Sequence, residues 1–109
     1  MSRHGWKQAE RDAASILHGK RFPASMGGPV DIESELYIAE VKNVKRFSLL
    51  QLERECVEIE RVGNLKNKSG LVLLKRSAGK GRETEWLVCM TAGTFREMSG
   101  ALPKETPDA

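Results

Sequence analysis

The apolar residues near the start of the chain recur every three or four positions between Trp6 and His18. This spacing places them on one face of a helix, which is typical of a helix packed against a core. Gly19 follows directly, and glycine is favoured just beyond the end of a helix. The pattern predicts a first helix over residues 6–18.

Three extended segments are predicted next. Residues 20–25 have an extended pattern, and two short runs, Val30–Glu33 and Leu36–Lys42, flank the polar turn Glu33-Ser34-Glu35. Two runs joined in this way predict a β-hairpin. Alternate residues of the second run are apolar on both sides, so we expect a central strand that is covered on both faces of its sheet.

A second helix is predicted to begin at Ser48. Gln51 stands three residues later, and this Ser-x-x-Gln spacing is that of a capping box. The stripe that follows has helical periodicity and ends near Gly63. Its members are Leu49, Leu52, Cys56 and Ile59.

The remaining pattern predicts a buried strand over residues 70–75, a Gly-rich turn over 77–82, a strand over 86–90 and a short helix over 93–98. The element order is helix, three strands, helix, two strands, helix (αβββαββα). This order predicts an α/β fold with a mixed β-sheet flanked by helices. Residues 1–98 are expected to form one domain, and residues 99–109, which contain two prolines, a flexible tail.

Composition narrows the class of protein. A chain of 109 residues with 39% hydrophobic and 30% charged residues is typical of one soluble globular domain. It has no apolar run of about 18 residues and no secretory signal, so we expect a cytoplasmic protein. Cys56 and Cys89 lie in apolar runs and are interpreted as reduced core residues. A zinc site is not expected, because only His4 and His18 could join them.

Positive charge is concentrated, although the formal net charge is only +3. Residues 41–52 and 61–82 contain Lys and Arg but no Asp or Glu. Such basic segments suit a phosphate backbone, although a solvated surface is the common alternative. The glutamates of the second helix, between these segments, are expected to face solvent or to pair with Arg54 and Arg61. The candidate DNA-binding residues are Lys45, Arg46, Lys66, Lys68, Lys75, Arg76, Lys80 and Arg82.

Glu10 stands out in the first helix. On a helical wheel it falls inside the apolar stripe, between Leu17 and Ala14. A buried, unpaired carboxylate costs several kcal/mol, so such a residue is normally exposed, paired or bound to a cation. An exposed position at the edge of the stripe and a cation-binding position therefore both stay open.

Charge also interrupts the central strand, at Glu40-Val41-Lys42. Residues two apart on a strand point to the same side, so Glu40 and Lys42 share one site. Hairpin pairing can place Asp31 beside Glu40. Two close carboxylates repel unless a cation such as Mg²⁺ lies between them, and an adjacent lysine could hold or help to deprotonate water. A surface Glu/Lys pair is the simpler alternative.

These residues resemble a known family. Asp31, then Glu40-Val41-Lys42, preceded by a helix that carries Glu10, is similar to the PD-(D/E)XK nuclease superfamily, and most like its archaeal and viral Holliday junction resolvases. Further similar segments are Ala9–Asp12, Pro23–Ser25 and Pro29–Ile32, and together the resemblance covers residues 5–98.

The resemblance implies a restriction-endonuclease-like fold, a Mg²⁺-dependent endonuclease that also accepts Mn²⁺, and a place in DNA recombination and repair in a prokaryotic cell or a virus-infected host. It implies that Asp31 and Glu40 are metal ligands and Glu10 a further acidic group at the metal. Lys42 would position or activate the attacking water, and Ser25 would assist cleavage from a loop. Gln51 is either a glutamine of the site or only a helix cap.

Two other functions stay open: a nuclease of the same fold acting on flap, nicked or linear DNA, and a non-catalytic nucleic-acid-binding module. Resolution needs two cuts, and a chain with one metal site predicts a homodimer. The last strand and short helix could supply the apolar interface or could complete the core. The residues concerned are Trp86, Met90, Phe95, Met98 and Leu102.

Overall fold

A computed structural model describes residues 3–17, 20–21, 30–79 and 81–100. The elements follow the predicted αβββαββα order and form an α/β fold with a mixed sheet and three helices. They are α1 (Arg3–Leu17), β1 (Lys20–Arg21), β2 (Ile32–Glu33), β3 (Tyr37–Val44), α2 (Leu49–Lys66), β4 (Ser69–Arg76), β5 (Trp86–Cys89) and α3 (Ala92–Ser99).

Strands β2 to β5 form the mixed sheet, and the two-residue β1 extends it at one edge, giving the order β1-β2-β3-β4-β5. The long central strands β3 and β4 pair in parallel, and every other pair is antiparallel. The parallel pair follows from α2, because a crossover helix returns the chain to the same end of the sheet. The predicted hairpin is confirmed as the β2–β3 pair.

Two apolar layers cover β3, as its pattern predicts. On one face Ala39 and Val41 pack with Ala13 and Leu17 of α1. On the other face Ile38 packs with Cys56 and Ile59 of α2. Because side chains alternate along a strand, Glu40 and Lys42 point to the α2 face together with Ile38. The sheet therefore positions both charges beneath α2.

The second helix differs from its predicted form in two ways. Leu49, assigned to the buried stripe, is 80% exposed. Gly63, expected near the end, lies inside α2, which continues to Lys66 and ends at Asn67 in the left-handed conformation (φ 61°). The predicted cap is confirmed, since the Ser48 side chain accepts a hydrogen bond from the Gln51 backbone N–H at 3.0 Å.

Gly63 serves packing rather than termination. A Cβ at Gly63 would lie 2.6 Å from the backbone oxygen of Lys68, and one at Gly70 would lie 2.1 Å from that of Ile59. Both distances are far inside van der Waals contact, so α2 and the start of β4 touch backbone to backbone. This contact sets the height of α2 above the sheet.

Several predictions fall at or beyond the limits of the described residues. Ser25, Lys80 and the expected tail from residue 101 lie outside them, whereas Ser99 ends α3 and Gly100 follows as its cap. Cys56 is buried, Cys89 is half-buried and neither forms a disulfide. Within the described ranges, no helix is long and apolar enough to cross a membrane.

The backbone contact predicts a large difference between two glycine substitutions. Gly70→Ala should destabilise the protein by about 3 kcal/mol, because the new methyl group forces α2 away from β4. Gly81→Ala should cost only about 1 kcal/mol, since that glycine has a positive φ but open space around it. Denaturant unfolding of the two variants measures the difference, and equal losses would show that α2 and β4 do not touch in this way.

Candidate metal centre

Asp31 is hydrogen-bonded to the backbone of β3 at the residues on either side of Glu40, whereas the predicted contact between the two carboxylates stays a prediction. Ile32, the first residue of β2, pairs with Ala39, and Asp31 lies just beyond this last paired position. The Asp31 backbone N–H donates to the Ala39 carbonyl oxygen at 2.9 Å. Its side-chain Oδ2 accepts from the Val41 N–H at 2.8 Å. The carboxylate is therefore fixed to the backbone of β3.

Lys42 lies between two glutamates. Its Nζ is 3.3 Å from Glu40 Oε2 and 3.5 Å from Glu55 Oε2. Only 14% of the Glu40 side chain is exposed, and the Lys42 and Glu55 side chains are also largely covered. One ammonium group thus bridges a carboxylate of β3 and a carboxylate of α2.

Glu55 corrects the expectation that the acids of α2 face solvent or pair with arginines on their own helix. Glu58 does pair with Arg61, at 2.7 Å. Glu60 instead accepts a hydrogen bond from the Thr91 hydroxyl at 2.8 Å, and Glu55 pairs with Lys42 of β3. A helical wheel could have found Glu55, because it lies about 40° from the buried Ile59, at the edge of the apolar stripe.

Glu40 and Glu55 share one proton. Burial raises the pKa of Glu40 to about 8, and the hydrogen bond and charge of Glu55 add to this shift against the pull of Lys42. The hydrogen bond from Glu40 lowers the pKa of Glu55. Burial and Glu55 therefore disfavour the ionised form of Glu40, whereas the ionised form of Glu55 is favoured.

Acidic residues of both α1 and α2 affect the pKa of Asp31. Burial raises its pKa above the usual range; the Val41 hydrogen bond and the charge of Lys42 oppose this, while the charges of Glu10 and Glu55 add to it. Glu10 itself is only 4% exposed, so its predicted place in the apolar stripe is confirmed. Glu10 belongs to α1 and Glu55 to α2, which cover opposite faces of the sheet. The charges of both helices therefore raise the pKa of Asp31.

The donor set fits a hard divalent cation. Oε1 of Glu40 is buried, and no described residue offers it a hydrogen bond while both glutamates are ionised. Either a shared proton or a cation can satisfy this oxygen, and Mg²⁺ prefers carboxylate oxygens. Asp31 and Glu40 are the residues that would hold it. In the part of the chain that the structure describes, no three Asp, Glu, His or Cys side chains meet as a ready-made cluster.

Gln51 has features of both its predicted roles. Its backbone belongs to the cap of α2, and its side chain hydrogen-bonds to Glu55 and helps to lower the pKa of that carboxyl group. Gln51 is exposed, and its link to the candidate site among the described residues is the hydrogen bond to Glu55. Whether it also contacts a substrate stays a prediction.

The candidate DNA-binding residues fall into two groups at opposite ends of the central strands. Lys66 and Lys68 lie near the start of β4, and both pair with Glu33. Lys68 also donates to the Ser34 carbonyl oxygen at 2.8 Å. The negative charge of Glu33 therefore offsets the positive charges of these two lysines, although no acid stands near them in the sequence.

The second basic group lies at the other end of β3 and β4. Lys75 and Arg76 pair with the last residues of β3, and exposed Lys45 and Arg46 follow that strand. Arg82 is exposed in the β4–β5 connection. Lys75 is partly engaged, since it donates to the Thr84 carbonyl oxygen at 2.8 Å and lies over the Trp86 ring at 5.8 Å.

No family model, no curated protein and no solved structure matches the chain.

The shared proton predicts a pH-dependent stability. Between about pH 5 and 8 folded Glu40 retains a proton that the unfolded chain releases near pH 4.5, so the metal-free protein should lose stability as pH rises, by up to about 1.4 kcal/mol per pH unit. Glu40→Gln should remove this slope, whereas Glu53→Gln, which replaces an exposed acid of α2, should retain it. Urea unfolding across this pH range measures both, and an unchanged slope in Glu40→Gln would contradict the shared proton.

Proposed function

We propose that this protein is a divalent-metal-dependent DNA endonuclease of the PD-(D/E)XK type, with a restriction-endonuclease-like fold, acting on branched DNA such as a Holliday junction. The single observation that carries the proposal is the grouping of Asp31 with Glu40 and Lys42: the Asp31 carboxylate is hydrogen-bonded to the backbone of β3 between these two residues. The mixed sheet with helices on both faces is compatible with that fold.

Asp31 and Glu40 would hold Mg²⁺ or Mn²⁺, and Glu10 and Glu55 would surround it with further negative charge. When bound, the cation would supply Lewis-acid stabilisation of a phosphate. Loading requires Glu40 to release its proton, which Glu55 can share. The raised pKa of Glu40 therefore supports competition between a proton and a cation for one site.

Lys42 would act as a charged hydrogen-bond donor. Burial alone would lower its pKa, but the charges and hydrogen bonds of Glu40 and Glu55 outweigh burial and raise it. The ammonium form therefore persists at neutral pH. This favours a role in orienting water and in stabilising charge that develops on phosphate oxygens.

The second basic group is the better candidate for the DNA surface. Lys45, Arg46 and Arg76 lie beyond the end of β3 that follows Lys42, and Arg82 lies in the adjoining β4–β5 connection. Phosphates bound there would adjoin the metal centre. Paired cuts across a junction would need two such centres, and hence two copies of the chain.

The first functional prediction concerns cleavage. Asp31→Asn and Glu40→Gln should each lower Mg²⁺-dependent cleavage of a four-way junction at least 1000-fold, because each removes a charged ligand. Affinity for the junction should be unchanged or higher, since less negative charge faces the phosphates. Single-turnover cleavage and gel-shift assays measure the two quantities, and Mn²⁺ titration calorimetry should show metal binding lost in parallel.

Glu35→Gln, at an exposed acid of the β2–β3 turn, is the matched control and should cleave like the parent chain. A linear duplex and a flap tested beside the junction distinguish junction resolution from other nuclease activity. Cleavage that survives in both Asp31→Asn and Glu40→Gln would remove the metal-site assignment. Tight binding without cleavage of any DNA by the parent chain would favour the binding module.

The second functional prediction concerns the DNA surface. Replacing Lys45, Arg46 and Arg76 by Ala should weaken DNA binding at least tenfold and flatten its salt dependence. A protein with fewer phosphate contacts releases fewer counterions when it binds. Replacing Lys66 and Lys68 should have less than a threefold effect, since Glu33 pairs with both. Fluorescence anisotropy at several salt concentrations measures affinity and slope, and the reverse ranking would move the DNA to the other end of the sheet.

A further inference from the structure

A groove runs beside α2 on the edge of the molecule away from β1. It has a volume of about 870 Å³ and lies between α2 and the segment from β5 to α3. Its lining is mainly apolar, with Glu53 as the charged side chain among the residues that border it. Leu49 and Val57 border it on α2, and Val88 and Phe95 border it on the other side.

These four apolar side chains are exposed, and so is Leu65 on the opposite flank of α2; the exposed fractions lie between 48% and 80%. A stable complex buries about 800 Å² on each partner, of which rather more than half is apolar. Five side chains of this size and exposure offer an apolar area of that order. They exceed what scattered surface hydrophobics normally present.

One row of exposed residues on α2, spaced four positions apart, has a self-complementary order. The series is Leu49, Glu53, Val57, Arg61 and Leu65, so an apolar residue occupies the centre and both ends, with an acid and a base between. Rows of residues four apart form the ridges by which helices pack. When two copies of this ridge run in opposite directions, each acid therefore meets a base and each apolar residue meets an apolar residue.

We propose that a second copy of the chain covers this groove by packing its α2 antiparallel to the first, with a two-fold axis at Val57. Residues equally distant from Val57 in opposite directions then meet. Val57 faces Val57 of the other copy, Glu53 faces Arg61, and Leu65 enters the groove beside Leu49. Each contact other than the central one occurs twice.

Charge complementarity is what favours a second copy over another occupant. Arg61 pairs with Glu58 of its own helix, but that pair is exposed, so rearranging it costs little. The two-fold arrangement gives the groove residue Glu53 an arginine and gives Leu65 an apolar pocket. The end residues 101–109 carry only one large apolar side chain, Leu102, and could fill the groove only in part.

This inference deepens the dimer that the proposed nuclease function requires, but its test needs neither DNA nor metal. Sedimentation velocity of the full chain at micromolar concentration should show a dimer. Val57→Glu should give a monomer, because two carboxylates would meet at the axis. Leu36→Glu, which introduces the same charge at an exposed leucine of the β2–β3 turn, is the matched control and should remain dimeric.

A charge exchange tests the orientation. Glu53→Arg and Arg61→Glu should each raise the dimer dissociation constant at least about tenfold, and the double variant should return it to within about threefold of the parent value. Thermal melts should show that the exposed substitutions leave the fold intact. A monomeric parent chain, or a double variant no better than the singles, would overturn the proposal.

Deletion of residues 101–109 tests whether these residues, rather than a second copy of the chain, occupy the groove. The truncated chain should dimerise as the parent does; a dimer that forms only after truncation would assign the groove to those residues instead and overturn the proposal. Because cleavage is not measured, a monomeric result leaves the metal-site proposal standing.

Discussion

The backbone contact between α2 and β4 is the constraint on which the rest of the structure depends. Two glycines, Gly63 and Gly70, let the helix approach the sheet with no side chain between them. At this distance a glutamate of α2 reaches a lysine of β3, as the 3.5 Å separation of Glu55 and Lys42 shows. A helix held farther away would leave both charges buried without partners, which costs several kcal/mol.

The charges on the α2 face are balanced as a group rather than in pairs. Lys42 has two acidic neighbours, and burial and Glu55 oppose the ionisation of Glu40 and raise its pKa. The raised pKa of Glu40 reduces the repulsion between the two acids, because it favours the neutral form of one of them. Strongly shifted acids in a partly open site are typical of catalytic centres, although structural networks can also produce them.

The sequence predicts those parts of the fold that depend on local periodicity. The order of elements, the hairpin and the Ser48 cap all follow from spacing of a few residues. Long-range packing defeats the same reasoning elsewhere. Leu49 continues the apolar stripe of α2 yet lies beyond the edge of the sheet, and Gly63 resembles a helix end although it is a contact point.

The candidate site divides in the same way. Glu40 and Lys42 could be placed together because strand alternation is a local rule, and the predicted hairpin brings Asp31 to the same strand. Glu55 could not, since its position depends on how high α2 stands above the sheet. The pairing of Lys66 and Lys68 with Glu33 joins residues more than thirty positions apart, and charge windows along the chain do not detect such pairs.

The hydrogen bond from Val41 to Asp31 makes the acid an additional rung of the β2–β3 ladder. The position of this acid therefore depends on the register of the hairpin. A slip of the β2–β3 pairing by one residue would exchange the faces of β2 and break the hydrogen bond that fixes the Asp31 carboxylate.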